Sequence, residues 1–283
     1  MKSQIFNLFK ECFFSIPITE DIFYSLFDYK NCNIITKHED NILIGFSAVR
    51  DNNILLLCVA PKYQHRGYGR HLLLESEELI KRKGYNTIVL GDTSSKFFLG
   101  APTTEKEWQE KHNYFFEKFG YTANNGCLEM VMQLKNYNLE HLNIELYPKN
   151  ISFEYWTKKD KTELLKAVKE VEEDWVTYFE YDLPIYVAME HGTCVGFTIL
   201  SFDDTTLCSN GYNKVGMFGC VGVIPSKRSC GIGLAMVAHG TNELRKNGCD
   251  ESYIHYTYLD KWYSKLGYQP ILWYWFGKKR LDD

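Results

Sequence analysis

The stretch CVAPKYQHRGYGRHLLLESEELIKRKG (residues 58–84) returns further along the chain as GVIPSKRSCGIGLAMVAHGTNELRKNG (residues 222–248). Val59, Pro61, Gly67, Gly69 and Gly84 recur as Val223, Pro225, Gly231, Gly233 and Gly248, and the Pro-to-Gly gap of six and the Gly67-to-Gly84 gap of 17 are both kept. Each stretch reads as the end of a strand, a proline, a glycine pair and a helix. Leu72, Leu73, Leu79 and Ile80 in the first, and Leu234, Val237, Ala238 and Leu244 in the second, form apolar faces at helical spacing. Both helices end at a glycine after a last turn carrying Lys and Arg, which suits the negative end of the helix dipole.

Outward from this pair, IGFSAVRD (residues 44–51) is echoed by VGFTILSFDD (195–204), and FFEKFGY (115–121) by WYSKLGY (262–268). Four similar blocks in one order predict two copies of one domain, residues 1–140 and 141–283. NILIGFSAVRD, NILLLCVA, PIYVAMEH and KVGMFGCVGV are short, apolar runs bounded by Asn, Asp, Gly and Pro, and they read as strands. TIVLGD and DESYIHYT give a strand after each long helix. A last helix (residues 105–119 or 259–266) and a closing strand, CLEMVMQL or ILWYWFG, complete each copy. The expected fold is α/β (α+β), two tandem domains, each a mixed, mainly antiparallel sheet flanked by helices.

The copies differ in length at two places. Gly67 to Gly120 is 53 residues where Gly231 to Gly267 is 36, which puts 17 extra residues in segment 92–108. Gly196 to Pro225 is 29 residues where Gly45 to Pro61 is 16, which puts 13 extra ahead of the second proline. Loops tolerate length change and carry specificity, so divergence of function is expected there.

A chain of 283 residues suits two domains with a core each. With 32 Lys plus Arg against 36 Asp plus Glu and no basic block, neither a nucleic acid nor a membrane is an expected partner. Nine cysteines, without a CxxC pair, fit neither a disulfide framework nor a zinc knuckle, so reduced thiols and no metal are expected. Lys10 and Glu11 interrupt any signal-peptide core, and no run of about 18 apolar residues spans a bilayer, so a cytoplasmic protein is expected.

A strand running through a proline into a glycine pair that opens a helix makes an anion site, because free backbone N–H groups and the helix dipole converge there. Position 72 is Leu and 236 is Met, so neither copy has the third glycine of a dinucleotide fingerprint, and neither has the Gly-Lys-Ser/Thr ending of a P-loop. A lone GxG also reads as a helix cap. The wider pattern is QHRGYG (residues 64–69) and RSCGIG (228–233), each six residues after a proline-ended strand begins to turn, and each followed later by an aromatic, K-(F/L)-G-Y helix end. It resembles the acyl-CoA pyrophosphate signature of the GNAT superfamily of N-acyltransferases, in both halves. The resemblance implies acetyl-CoA as co-substrate, held by Gln64, His65, Arg66, Gly67, Tyr68, Gly69 and Arg70 in the first copy. In the second it implies Arg228, Ser229, Cys230, Gly231, Ile232, Gly233 and Leu234. It further implies that Cys58 and Val59, or Val221, Gly222 and Val223, lie on a splayed strand that binds the pantetheine arm as an added strand would.

The implied reaction moves an acetyl group from thioester to amine, which needs a neutral amine, a stabilised oxyanion and a proton for the departing thiolate. In the superfamily the proton commonly comes from a Tyr before the K-x-G-(F/Y) turn. Tyr263 stands there in the second copy and Phe116, which has no proton to give, in the first. The C-terminal copy is therefore the expected catalyst, and the N-terminal copy keeps the CoA loop without the acid. A backbone N–H near Val221 would meet the oxyanion. Strand MFGCVGV holds no carboxylate, so the amine's proton leaves through water or to Asp260, Asp174 or Glu173. The second half is rich in aromatics (Trp156, Trp175, Tyr178, Tyr181, Tyr256, Tyr258, Trp262, Trp273, Trp275), which stack well on sugar rings. Residues 219–241 and 256–268, with FFLGAPT (97–103), are similar to bacterial tandem GNAT proteins, some of which acetylate glucosamine and glucosaminides released during cell-wall recycling. A small-molecule amine of amino-sugar type is thus the expected acceptor. An aminoglycoside or other small amine, or acyl-CoA binding without turnover, are the alternatives.

Overall fold

The computed structural model describes residues 1–281. The first copy gives α1 (Lys2–Cys12), α2 (Glu20–Leu26), β1 (Asn33–Glu39), β2 (Ile42–Arg50), β3 (Asn53–Val59), α3 (Tyr68–Arg82), β4 (Thr87–Leu90), β5 (Ala101–Thr103), α4 (Glu105–Glu110), α5 (Tyr114–Glu117) and β6 (Gly126–Gln133). The second gives β7 (Ile151–Tyr155), α6 (Thr162–Val171), α7 (Val176–Glu180), β8 (Ile185–Glu190), β9 (Thr193–Ser201), β10 (Val215–Val223), α8 (Ile232–Lys246), β11 (Glu251–Thr257), α9 (Asp260–Ser264), β12 (Gln269–Trp275) and β13 (Lys278–Arg280). The strands and long helices read from the sequence match these bounds closely, because their hydrophobic periods are unambiguous.

The chain forms two compact units whose membership crosses the repeat boundary at residue 140. Unit 1 holds Met1–Glu129, Thr205–Gly211 and the chain from Ile271; unit 2 holds Met130–Asp204 and Tyr212–Pro270. In unit 1 the sheet order is β1-β2-β3-β4-β13. Its β1, β2 and β3 are antiparallel, β3 and β4 run parallel, and β13 returns antiparallel to β4. There too β12 pairs antiparallel with β5, Trp273 opposite Thr103. In unit 2 the order is β6-β11-β10-β9-β8-β7, with β6 belonging from Met130 onward. Its β7 to β10 are antiparallel neighbours and β10 runs parallel to β11.

The closing strand of the second copy thus serves unit 1, and most of the extra length before its proline does so as well. Leu207, from that added segment, is fully buried in a core with Phe9, Phe23, Phe46 and Tyr274. The other added segment, 92–108, is also a core element before it is a loop. Phe97, Phe98 and Leu99 are 3%, 1% and 0% exposed, and the two phenyl rings stack at 4.7 Å beneath Phe9, Phe23 and Phe27. Each such buried ring contributes about 1.5–3 kcal/mol. The single helix expected over 105–119 is divided. A capping box between Thr104 and Glu107 opens α4, Lys111 at φ 62° ends it, and Asn113 caps the start of α5. Among the described residues no helix is long and apolar enough to cross a membrane.

Candidate active site

In both units the strand leading to the proline keeps its parallel partner for only part of its length. β10 pairs with β11 from Val215 opposite Glu251 to Phe218 opposite Ile254 and no further, and β3 pairs with β4 only at Asn53 and Ile54. Beyond Phe218 and Ile254 both strands of unit 2 continue and part, as the sequence resemblance implies, while in unit 1 β4 ends at Leu90 and β3 runs on to Val59 without it. β10 is also bulged. Gly219 faces Ile199 while Gly222 faces Phe197, so one extra residue is accommodated at Cys220–Val221, with Cys220 left-handed at φ 52°. A bulge re-aims the backbone and side chains of the strand that carries it.

After the proline each chain makes one 3-10 turn and a left-handed residue, His65 at φ 59° or Ser229 at φ 63°. The helix N-caps are Gly67 at φ 89° and Gly231 at φ 77°, a region that glycine enters without steric cost. Neither N-cap is closed by a side chain. The first helical bonds run from His71 N–H to Gly67 and from Ala235 N–H to Gly231, so the three amides before each have no acceptor within the helix. Those amides, at the positive end of a 15-residue helix, form an anion cradle. The side chain heading each loop is tied to the strand end: Gln64 Nε2 donates to the Val59 carbonyl at 3.0 Å, and Arg228 Nε to the Val223 carbonyl at 3.1 Å.

A cavity of about 460 Å³ opens over the second loop. Val221, Gly222, Val223, Arg228, Ser229, Gly231, Ile232, Gly233 and Leu234 line it, while Cys230 does not and is exposed. It adds four residues that the sequence did not assign to the glycine loop, Lys227, Leu259, Trp262 and Lys265, of which Trp262 was expected at the acceptor. Two of these lie inside the WYSKLGY block, and a Cβ on Gly233 would stand 3.3 Å from Val223 and 3.4 Å from Trp262, so the second glycine lets the helix start sit close against both. Lys227, Arg228 and Lys265 make this cavity cationic, with Lys227 also paired to Glu190 at 2.5 Å. A second cavity of about 300 Å³ is lined by Trp175, Phe218, Cys220, Val221, residues 254–259 and Tyr263. Val221, Leu259 and Tyr263 line both cavities.

Tyr263, on α9, is 5% exposed and its ring is clamped between Trp262, at 4.8 Å and 90°, and Tyr268, at 5.8 Å and 73°. Tyr268 is itself fixed by hydrogen bonds to Thr241 at 2.9 Å and Ser252 at 2.6 Å. Burial, and after it the neighbouring Tyr268, pushes the Tyr263 phenol above its ordinary pKa, so the ring carries its proton throughout the neutral range. Asp260 and Asp174 line neither cavity: Asp260 sits in the first turn of α9, where the helix dipole favours a carboxylate, and Asp174 is exposed in the turn Glu173–Trp175. Glu173 is engaged by Lys169 at 2.8 Å.

Unit 1 has a cavity of about 410 Å³ of different make. Cys58, Val59 and Gln64 line it, but His65, Arg66, Gly67, Tyr68, Gly69 and Arg70 do not. Its one charged lining residue is Glu107, with Cys12, Asn113, Phe115 and Phe116 nearby on the wall. The cations Lys62 and Arg66 rest instead over the Tyr63 ring, at 4.9 and 5.5 Å. The aromatics also sort by unit. Trp175, Tyr256 and Tyr258 line the second cavity of unit 2, whereas Trp273 and Trp275 belong to unit 1, Trp275 in its core.

Splayed strand, uncapped glycine helix and shared cavities define an acyl-CoA-dependent transferase fold, and family comparison agrees. Residues 30–123 match a model described as an acetyltransferase (GNAT) domain, and residues 145–268 one described as the acetyltransferase (GNAT) family. The chain belongs to the GNAT family, carries two such domains in tandem, and is an N-acetyltransferase that uses acetyl-CoA. No curated protein matches it in sequence. Among solved structures it is similar to a GCN5-related glucosamine N-acetyltransferase region in a fungal multi-domain beta-N-acetylglucosaminidase (TM-score 0.69, 23% identity, 98% of this chain). The chain spans only 36% of that fungal protein. It is also similar to a GCN5-related N-acetyltransferase from Sphaerobacter thermophilus (0.67, 16%, covering 100% of this chain and 94% of that one). A third likeness is a tandem GNAT protein from the clavulanic acid biosynthesis pathway (0.62, 14%, 100% and 95%). At these identities the likenesses establish the fold.

Proposed function

We propose that unit 2 is the catalytic centre and that it moves the acetyl group of acetyl-CoA to the amine of an amino sugar, a free glucosamine or a glucosaminide of the kind released from cell walls. One observation carries this reading: Val221, Leu259 and Tyr263 face both the cationic cavity over the glycine loop and the aromatic cavity between β10 and β11. A thioester held in the first and an amine held in the second would meet at those three residues. The amides of Ile232, Gly233 and Leu234, with Lys227, Arg228 and Lys265, would take the pyrophosphate. Residues 221–223 would run beside the pantetheine arm, a backbone N–H near Val221 would meet the oxyanion, and Tyr263 would give its proton to the departing sulfur as negative charge develops there.

The acceptor cavity supports the amino sugar. Its volume of about 300 Å³ lies at the small end of ligand sites, room for one ring rather than three. Trp175, Tyr256 and Tyr258 offer flat faces to the C–H side of a sugar ring, and Thr257 and His255 offer groups for hydroxyls. No Asp or Glu lines it among the described residues, which disfavours a polycationic aminoglycoside. The similarity to a glucosamine N-acetyltransferase region points the same way. The test is thiol release from acetyl-CoA with glucosamine, muropeptide-type glucosaminides, aminoglycosides and lysine peptides. Glucosamine or a glucosaminide is expected to give the highest kcat/KM. A higher value for an aminoglycoside would replace the acceptor assignment, and no release with any amine would leave a CoA-binding protein without turnover.

A further inference from the structure

We propose that His255 accepts the proton of the acceptor ammonium, so that the amine enters the reaction neutral. This rests on the assignment of unit 2 as the transferase centre. The sequence offered carboxylates for that role, and the structure places Asp260 and Asp174 on neither cavity wall. Among the residues that line the acceptor cavity, His255 is the one imidazole, and none is a carboxylate or an amine. The rest are apolar, hydroxyl or thiol groups. Imidazole is the side chain most often placed to accept a proton in catalysis.

The strand geometry puts the ring on the right face. Ser252 bonds Tyr268, which bonds Thr241 of α8, so Ser252 and Ile254 face α8. Side chains alternate along a strand, and Tyr253 and His255 therefore stand on the opposite face, their rings stacked 6.3 Å apart. That is the face on which Cys220 packs with Trp175 and the core formed by α6 and α7. The titratable groups that line the cavity with it are Cys220 on β10, Tyr256 and Tyr258 on and after β11, and Tyr263 on α9, and Tyr253 stacks beside it. On the turn before α7, Glu173 and Asp174 are exposed and line neither cavity of unit 2. Burial raises the Cys220 thiol to about 11 and Tyr263 is raised as well, so neither competes for the proton at neutral pH.

The step balances. The ammonium gives one proton to His255, which passes it to solvent. The amine nitrogen then attacks the thioester carbon, the C–N bond forms and the C–S bond breaks. Tyr263 protonates the leaving sulfur and is itself restored by the second proton of the amine. The products are the amide, the free thiol and one released proton.

The experiment compares wild type, His255→Gln and His255→Asn across pH 5.5 to 9 with acetyl-CoA and glucosamine. The expected result is a loss of about 100-fold or more in kcat/KM near pH 7. The acid limb of the wild-type profile should disappear in both variants and be replaced by one at the higher pH of the amine's own ionisation, with KM for acetyl-CoA unchanged. In His255→Ala, added imidazole should restore part of the rate. A variant that keeps kcat/KM within threefold and the same acid limb would overturn the proposal and leave the transferase reading intact. If wild type acetylates no amine, that reading fails first, and ¹⁵N-histidine NMR of the CoA complex decides for His255. A shift of its resonance on adding glucosamine supports the contact, and none refutes it.

Discussion

Phe115, Phe116 and Tyr121 of unit 1 are arranged much as Trp262, Tyr263 and Tyr268 are in unit 2. Neighbouring centroids lie 4.9 and 5.6 Å apart at 79° and 67° in the first, and 4.8 and 5.8 Å apart at 90° and 73° in the second. Phe116 is 9% exposed and Tyr263 5%. The same packing is reached with and without the hydroxyl, so the fold does not require the oxygen of Tyr263. The loops teach the complementary lesson. Their glycines, left-handed residues and strand ties agree in both units, but the lining of the neighbouring cavity differs: Lys227, Arg228 and Lys265 in unit 2, Glu107 as the charged residue in unit 1. The two units therefore differ in the charge lining the cavity beside the loop and agree in loop conformation.

Four measurements would break or sharpen this comparison. Tyr263→Phe, which copies unit 1 into unit 2, should lower kcat by about 100-fold or more with acetyl-CoA binding retained; wild-type turnover would remove Tyr263 from the chemistry. Next in size is the effect on the cofactor. Gly231→Val forces a β-branched residue to φ 77°, a strain of roughly 1–2 kcal/mol or about tenfold in affinity. Calorimetry should show acetyl-CoA binding weakened by that factor or more in Gly231→Val and unchanged in Gly67→Val. The reverse pattern would move the site to unit 1. The reciprocal exchange, Phe116→Tyr, should raise turnover less than about twofold in a Tyr263→Phe background, because a phenol does not change the charge of a cavity whose charged lining residue is Glu107; recovery of activity there would show that unit 1 lacks only the acid.

The smallest effect concerns pH. His239 in unit 2 donates to the Leu146 carbonyl at 3.0 Å and stacks on Phe153 at 4.7 Å. Burial outweighs that bond and holds its pKa below the ordinary histidine value. A histidine lowered on folding adds stability above its unfolded pKa, about 6.5, and loses it as pH falls through that value toward the folded one. In unit 1, burial works to raise Asp92, but hydrogen bonds from Ser94 and the Arg50 ion pair prevail and hold it low. Its contribution persists to about pH 4 and is lost only below. His239→Gln should therefore flatten the fall in melting temperature between pH 7 and 5 by a few degrees at most, while Asp92→Asn should lower the melting temperature above about pH 4 and flatten its fall only in the more acid range. An unchanged slope in His239→Gln would show that other groups set the acid response.

Much of the molecule was legible in its residues because the relevant physics is local. Proline and glycine fix the turn after the strand, helical spacing fixes the faces of α3 and α8, and a repeated pattern of both reveals the duplication and the Tyr263–Phe116 difference. His255, Lys227 and Lys265 were not singled out, since a histidine in an apolar run and lysines beside a loop look like ordinary strand and surface residues until a cavity wall is seen. Tertiary structure alone decided which sheet each closing strand joins. CLEMVMQL and ILWYWFG are both apolar strands with the same backbone hydrogen-bonding capacity, so nothing within them selects a partner. It also decided that segment 92–108 is buried and that strands β10 and β11 part after Phe218. Which carboxylates stand away from the acceptor cavity and which imidazole lines it was settled the same way. Those outcomes depend on contacts between residues far apart in the chain, which periodicity and spacing do not encode.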